Sequence, residues 1–195
     1  MSSREITEVT LRIAALLEKL GVAYEIGGSL ASSLHGVPRS TLDADIVADL
    51  TPDTARRFAE LLGDEFYKNA DAIADAVRAR RSFNIIHLPT MLKVDVFAVQ
   101  DTPFARTEFS RRMQRPFPDA GGPLVWVSSP EDIILHKLVW YADGGKVAQR
   151  QLQDAVGVLR TAGATLDQAY LTRWATILSV AELLEQARGE TTKTG

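Results

Sequence analysis

The spacing of apolar residues changes several times between helical and strand-like periods along the chain. Apolar positions three and four apart predict an amphipathic helix over residues 4–20, which ends at Gly21. The elements predicted after it are a strand over 22–26, a helix over 30–34, a strand over 43–48, a helix that begins at Thr51-Pro52 and a helix over 70–80. Two further strands are predicted over 83–88 and 92–99, joined around Pro89 in a way that is compatible with a hairpin. This alternation predicts an α/β (α+β) fold rather than a helical bundle.

The pattern becomes purely helical in the last third of the chain. The stretch over 102–123 predicts a helix followed by a loop, and a short strand is predicted over 124–127. Ser129-Pro130 then supplies a helix N-cap and a proline in the first turn. Helices are predicted over 130–142, 146–161 and 166–188, and the tail over 189–195 is expected to fray. The change predicts one domain boundary, between 1–128 and 129–195.

Composition excludes several classes of protein. Hydrophobic residues make up 46% and charged residues 24% of the 195 positions, so collagen-like, coiled-coil and wholly disordered chains are excluded. Cysteine is absent, which excludes disulfides, thiolate catalysis and cysteine-ligated zinc. The apolar runs are too short to cross a bilayer, and we expect a cytoplasmic protein without a membrane partner. The net charge of -3 gives no global basic field for nucleic acid.

Three aspartates carry the strongest chemical signal. Asp43 and Asp45 are two apart on a predicted strand, so both carboxylates emerge on one face. Such a pair is either an edge feature in water or half of a site for a hard cation. Asp95 lies inside a strongly apolar strand and therefore needs a partner. Its partner is either a metal or an arginine such as Arg39 or Arg81.

A glycine turn precedes the acids. Gly27-Gly28-Ser29 lies between a predicted strand and a predicted helix, where glycines permit close backbone approach and helix N–H groups face an anion. The alternative is an ordinary turn with a serine N-cap. Together with Arg39, Thr41 and the acids, the turn favours phosphate binding, because carboxylates hold a divalent metal and the metal holds phosphates.

These motifs resemble the signature of the DNA polymerase β-type nucleotidyltransferase superfamily. The resemblance is carried by Gly-Gly-Ser-Leu-Ala at 27–31 and by His-Gly-Val-Pro-Arg-Ser-Thr-Leu-Asp-Ala-Asp-Ile at 35–46. In that family a glycine turn is followed by Asp-x-Asp on a strand and by a third acid on a later strand, the position that Asp95 matches. More narrowly, the chain is similar to the minimal and AbiEii-like nucleotidyltransferases, many of which belong to toxin–antitoxin systems. The resemblance covers about residues 5–160.

The resemblance implies a metal site and a nucleotide site. The residues implied to be catalytic and to bind Mg²⁺, with two ions beside the NTP, are Asp43, Asp45 and Asp95. The residues implied at the nucleotide are Gly27, Gly28, Ser29, Arg39, Thr41, Lys137 and Asp154. Among these, Arg39 and Lys137 would meet phosphate charge, and Asp154 would orient one of them. For Lys137 and Asp154 the alternative is a solvated salt bridge.

The resemblance also implies an activity. A nucleotidyltransferase core over 1–128, with a small mixed sheet flanked by helices, and a helical subdomain over 129–195 would move a nucleoside monophosphate from an NTP to an acceptor hydroxyl. The implied partners are the NTP, an acceptor in RNA such as tRNA, in protein or in a small molecule, and a cognate antitoxin. Two alternatives remain: a catalytically silent nucleotide- or partner-binding module, and a metal-dependent phosphohydrolase that uses the same acids with water.

Overall fold

A computed structural model describes residues 3–39, 41 and 43–192 of the chain. Its elements in chain order are α1 (Ser3–Lys19), β1 (Tyr24–Ile26), α2 (Gly28–His35), β2 (Asp43–Ala48), α3 (Pro52–Leu61), β3 (Phe66–Tyr67), α4 (Ala70–Arg78), β4 (Phe83–His87), β5 (Leu92–Ala98), α5 (Pro103–Arg111), β6 (Met113–Pro116), β7 (Leu124–Val127), α6 (Pro130–Asp143), α7 (Gln149–Ala162), a 3-10 turn (Gly163–Thr165), α8 (Gln168–Ile177) and α9 (Ala181–Thr192). None of the helices in the described residues is long and apolar enough to span a membrane.

The chain divides into two compact units. The first comprises Met1–Leu30 and Ser40–Val127, and the second comprises Ala31–Arg39 and Ser128–Gly195. The helical unit therefore includes a short segment from the N-terminal part of the chain, which a boundary read along the sequence does not capture. The predicted boundary between 128 and 129 stays a prediction.

The first unit is built on a mixed sheet. In the part of it that the structure describes, seven strands follow the order β3-β4-β5-β2-β1-β7-β6. β2 pairs in parallel with β5, and β1 pairs in parallel with β7. The remaining neighbours pair antiparallel, including the β4–β5 hairpin that the sequence predicts. The predicted fold class, a mixed sheet with flanking helices, is confirmed.

The two central parallel strands bury one face and leave the other partly exposed. On β2, Ala44 and Ile46 are fully buried, and on β5 Val94 and Val96 are fully buried. The residues between them are intermediate or exposed. Because strand side chains alternate, the buried set anchors the sheet to its helices and leaves the acidic residues on the opposite face.

Some elements differ from the predictions because tertiary contacts determine them. The stretch predicted as a loop after α5 contains β6, whose residues Met-Gln-Arg-Pro show no alternation and which forms by pairing with β7. The helix predicted over 166–188 is two helices, separated around Ser179, whose φ is +60°. Residues 189–192 continue α9 rather than fray, and residues 193–195 lie outside the described residues.

The second unit is a helical cluster with a buried polar anchor. Ser129 caps α6 as predicted, since its Oγ accepts a hydrogen bond from the backbone N–H of Asp132 at 3.2 Å. Asp132 is fully buried, and the hydroxyl of Tyr170 donates to its Oδ1 at 2.6 Å. This bond ties α8 to the start of α6. His35, at the end of α2, bonds through Nε2 to the backbone oxygen of Ser128 at 2.8 Å, which is a structural role.

The turn after α2 packs closely against α7. We expect Gly36→Ala to destabilise the protein by about 1–3 kcal/mol, because overpacking forces backbone shifts. An added Cβ would lie 2.9 Å from the backbone nitrogen of Val158. The matched control is Gly189→Ala in α9, where an added Cβ meets nothing within 4 Å. That variant is expected to be neutral or up to about 1 kcal/mol more stable.

Urea unfolding followed by circular dichroism measures both glycine variants. Equal transition midpoints for Gly36→Ala and the wild type would show that this contact is not as close as described.

Candidate functional site

The three predicted catalytic acids lie on neighbouring parallel strands of the first unit. The register places Asp45 on β2 opposite Asp95 on β5, and Asp43 opposite Lys93. Adjacent strands are about 4.8 Å apart, and residues opposite each other share a face. The structure therefore brings Asp43, Asp45 and Asp95 to one face together with a lysine.

Lys93 lies on the same face as the acids and has no role in the motifs of the sequence. Its Nζ lies 2.6 Å from Oδ2 of Asp95. The hydrogen bond to Asp95 and the charges of Asp95, Asp43 and Asp45 raise the pKa of Lys93 above its ordinary value, against the opposing effect of burial. Among the described residues, Asp95 thus pairs with a lysine and Arg39 pairs with Asp154, whereas the structural alternative expected an arginine such as Arg39 or Arg81 at Asp95. The sequence indicates this pairing, because Lys93 lies two residues before Asp95 on a predicted strand and both side chains therefore share a face.

Thr41 fixes the first acid of the pair. Its hydroxyl donates to Oδ1 of Asp43 at 2.8 Å and also lies 3.2 Å from the backbone oxygen of Asp43. Thr41 is buried, with 8% of its surface exposed. Its observed contact is therefore with the acid, and its predicted contact with the nucleotide stays a prediction.

The glycine turn packs directly against the second acid. The backbone N–H of Gly27 donates to the backbone oxygen of Asp45 at 2.9 Å. Gly28 has a φ of +56°, and a Cβ built on it would lie 1.8 Å from Oδ2 of Asp45. A side chain at this position is excluded by both conformation and space. The first turn of α2 begins here, so the Gly27-Gly28-Ser29 turn and the acids are adjacent, as the sequence predicts.

The donor set suits a hard divalent cation. Mg²⁺ takes oxygen ligands and is bound through a few carboxylates together with substrate phosphates. As they stand, no three or more His, Asp or Glu side chains among the described residues are arranged to hold a metal ion. Asp95 is instead engaged by Lys93. The carboxylates of Asp43, Asp45 and Asp95 are the ligands that such a cation prefers, and the strand register places them on one face. In the structure, Lys93 supplies the positive charge on that face.

Three of the predicted nucleotide-binding residues form a separate ionic group in the second unit. Arg39 donates through Nε and Nη2 to the two carboxylate oxygens of Asp154, each at 2.8 Å. Nζ of Lys137 lies 2.9 Å from Oδ2 of Asp154. The side chains of Lys137 and Asp154 are 1% and 8% exposed, so this salt bridge is buried and the solvated alternative is wrong.

Asp154 is held as a carboxylate by its two partners. Burial raises its pKa, but the hydrogen bonds from Arg39 and Lys137 and the charges of both residues outweigh that effect. The pKa of Asp154 therefore lies below its ordinary value. Asp154 orients both cations rather than one of them.

The predicted site residues divide between the two units. Those of the first unit are Gly27, Gly28, Ser29, Thr41, Asp43, Asp45 and Asp95, and those of the second are Arg39, Lys137 and Asp154. Within each unit the structure brings its members together. Ser40 and Leu42, which are part of the motif at 35–46, lie outside the described residues. The roles of all ten residues in binding and catalysis stay predictions.

Comparisons with known proteins give a likeness of fold. No protein-family model and no curated protein matches the chain. The solved structure of the antibiotic-resistance factor ANT(2'')-Ia aligns with a TM-score of 0.59 at 17% identity, covering 91% of this chain and 96% of that chain. An antigenic nucleotidyltransferase-like protein from Paracoccidioides brasiliensis aligns with a TM-score of 0.59 at 18% identity, covering 96% and 93%.

A second structure of ANT(2'')-Ia, in complex with adenylyl-2''-tobramycin, aligns with a TM-score of 0.53 at 16% identity, covering 94% of this chain and 97% of that chain. The chain thus has the fold seen in nucleotidyltransferase structures over nearly its whole length. The narrower likeness to AbiEii-like proteins and toxin–antitoxin systems stays a prediction.

The buried ionic group predicts a pH dependence. Asp154→Asn is expected to destabilise the protein by about 3 kcal/mol at neutral pH, because Arg39 and Lys137 lose their counter-charge. Because the pKa of Asp154 is lower in the folded state, its ionised form stabilises the folded protein at pH values above the unfolded-state pKa of about 3.9. This stabilisation is lost as the pH falls through the folded-state pKa. The wild type should therefore lose more stability than Asp154→Asn as the pH falls from about 5 to about 2.

Urea unfolding at a series of pH values measures this difference. The control is Asp143→Asn, an exposed aspartate at the end of α6, which should behave as the wild type. An Asp154→Asn variant with wild-type stability at neutral pH and the wild-type acid slope would contradict the assignment.

Proposed function

We propose that the protein is a divalent-metal-dependent nucleotidyltransferase, which transfers a nucleoside monophosphate from an NTP to an acceptor hydroxyl. The observation that carries this proposal is the contact between the glycine turn and the acid strand, where Gly28 leaves no room for a Cβ beside Asp45. An acid pair packed against a phosphate-type turn is the arrangement that a metal–triphosphate complex needs. The likeness of fold to nucleotidyltransferase structures supports the proposal.

Asp43, Asp45 and Asp95 would hold Mg²⁺ in this proposal. Divalent metal held by these residues would neutralise phosphate charge and favour displacement at phosphorus. Thr41 keeps Asp43 in one orientation through its 2.8 Å hydrogen bond. Asp95 would join the set on release of its contact with Lys93.

The remaining chemistry follows from the reaction itself. The acceptor oxygen forms a bond to the α-phosphorus, the bond from that phosphorus to the bridging oxygen breaks, and pyrophosphate leaves. The proton of the acceptor hydroxyl needs a base, and we assign that role to Asp95, which is the third carboxylate on the face that carries Asp43 and Asp45. The turn at Gly27, Gly28 and Ser29 would orient phosphate oxygens through backbone N–H groups at the start of α2.

The acceptor is proposed only as a hydroxyl. One solved structure of ANT(2'')-Ia holds an adenylylated tobramycin, which identifies an aminoglycoside product for that protein. For this chain RNA, protein and small molecules all remain acceptor classes to be tested. A toxin role and a cognate antitoxin are further predictions that rest on the sequence resemblance.

A catalytically silent nucleotide- or partner-binding module is the second candidate function. The ion pair between Lys93 and Asp95, at 2.6 Å, favours it, because that contact occupies the third acid. Such a module would bind an NTP or a partner protein without releasing pyrophosphate. The two candidates therefore differ in turnover rather than in binding.

The first test is transfer of label from an NTP. Purified protein with Mg²⁺, each NTP labelled at the α-phosphate, and pools of RNA, protein and aminoglycosides should yield a labelled acceptor. Asp45→Asn is expected to reduce labelling by at least about a hundredfold, because it removes a charge from the metal ligands. The control is Asp64→Asn, an exposed aspartate between α3 and β3, which should keep wild-type labelling.

Each outcome of the labelling experiment has a meaning. Undiminished labelling by Asp45→Asn overturns the metal assignment. Release of nucleoside monophosphate without a labelled acceptor indicates a phosphohydrolase, and NTP binding without turnover indicates the silent module.

The second test measures metal affinity. Lys93→Met is expected to bind Mn²⁺ about tenfold more tightly than the wild type, because it removes a competing cation that is only half exposed. Electron paramagnetic resonance of free Mn²⁺ gives the dissociation constants directly. Lys19→Met, at an exposed lysine near the end of α1, should leave the affinity unchanged. Weaker Mn²⁺ binding by Lys93→Met would mean that the lysine assists the site instead of competing with it.

A further inference from the structure

A cavity of about 500 Å³ lies wholly within the second unit. Its walls come from the end of α2 and the segment after it, from one face of α7, and from Glu190 near the end of α9. The volume falls in the range of small-molecule sites, which is roughly 300–1,000 Å³. The proposed reaction places the metal and the triphosphate beside the acids of the first unit, whereas this cavity is lined by Arg39 and Asp154, two residues that the resemblance implies at the nucleotide.

Three arginines line the cavity. Arg150 and Arg160 project from α7, and Arg39 lies on the segment after α2. Within the described part of the chain, neither Arg150 nor Arg160 forms an ion pair, and both are exposed. Arg39 is already oriented by its two 2.8 Å hydrogen bonds to Asp154. The cavity therefore combines one fixed guanidinium with two that are available to a ligand.

The charges of the cavity favour an anion with two negative charges. Its lining holds three arginines against two acids, Asp154 and Glu190. Asp154 is also bonded to the buried Lys137, which adds a further positive charge directly behind the wall. The local excess is thus two positive charges, and a phosphate monoester carries close to two negative charges at neutral pH. Guanidinium groups recognise phosphate through paired, charge-assisted hydrogen bonds.

The rest of the lining suits an organic body attached to the phosphate. Val37 is 62% exposed and faces Gly157 on α7, where an added Cβ would lie 3.5 Å from the Val37 side chain. Val156 extends this apolar wall, and Gln153 adds an amide that donates and accepts. Sites with apolar walls and a few polar groups are typical of small organic ligands.

We propose that the cavity of the second unit binds a small organic phosphate, with Arg150 and Arg160 as its anion-binding side chains. Arg39 contributes a guanidinium that Asp154 holds in place. The site needs neither the acids of the first unit nor a metal, so binding there can be measured in the absence of the proposed transfer reaction.

Calorimetric titration in the presence of EDTA tests the proposal. The protein is the full chain carrying Asp45→Asn, so that neither the metal nor a complete acid group contributes to binding. The probes are AMP, inorganic phosphate and adenosine. AMP should bind at least about tenfold more tightly than adenosine, since its phosphate accepts charge-assisted hydrogen bonds from the arginines. Weak binding of inorganic phosphate at the same site would show that the phosphate group is recognised by itself.

The double variant Arg150→Gln/Arg160→Gln should weaken AMP binding by at least about tenfold. The matched control is Arg173→Gln/Arg188→Gln, which removes two arginines of the same unit that do not line the cavity and should change the affinity less than about twofold.

Equal affinity of the Asp45→Asn protein for AMP and adenosine, no detectable AMP binding, or AMP affinity unaffected by the double variant would each overturn the proposal. None of these results bears on the labelling experiment, which needs metal and an intact Asp45.

Discussion

Three carboxylates on one face of a sheet repel each other unless positive charge lies among them. In this protein the charge comes from the same strand as the third acid, because Lys93 and Asp95 are two residues apart on β5 and share a face. The register then sets Lys93 opposite Asp43 and Asp95 opposite Asp45. The opposite face of the same strands is buried, and the burial of its apolar side chains stabilises the sheet that carries the acids.

In the second unit, the negative charge of an aspartate is balanced by two cations from other segments of the chain. Asp154 meets Lys137 and Arg39 where Lys137 and Asp154 are almost fully buried, whereas Lys93 is half exposed. A buried ion pair is hard to break, since loss of one partner leaves an unpaired charge in a low dielectric. A half-exposed pair exchanges its partner with little penalty. The buried pair of Lys137 and Asp154 is therefore a fixed structural contact, whereas Lys93 and Asp95 form a pair that can exchange partners.

Local sequence signals predicted the parts of the structure that depend on neighbouring residues. The strand over 43–48, the β4–β5 hairpin and the cap at Ser129 follow from alternation, turn residues and capping chemistry. The strand β6 and the break at Ser179 depend on contacts with distant residues, and no local pattern marks them. The burial of Lys137 was missed for the same reason, because its partners Asp154 and Arg39 come from other segments.

The glycine turn shows how geometry decides between two interpretations of one motif. A turn residue with a positive φ is most often glycine, but asparagine also adopts that conformation. Gly21 has such a φ with nothing within 4 Å of an added Cβ, so it is a turn residue of this kind. At Gly28 an added Cβ would lie 1.8 Å from Oδ2 of Asp45, which excludes every side chain, asparagine included. Glycine is required at position 28 because Asp45 occupies the space of a side chain. This contact places the turn directly beside a carboxylate of the proposed metal site.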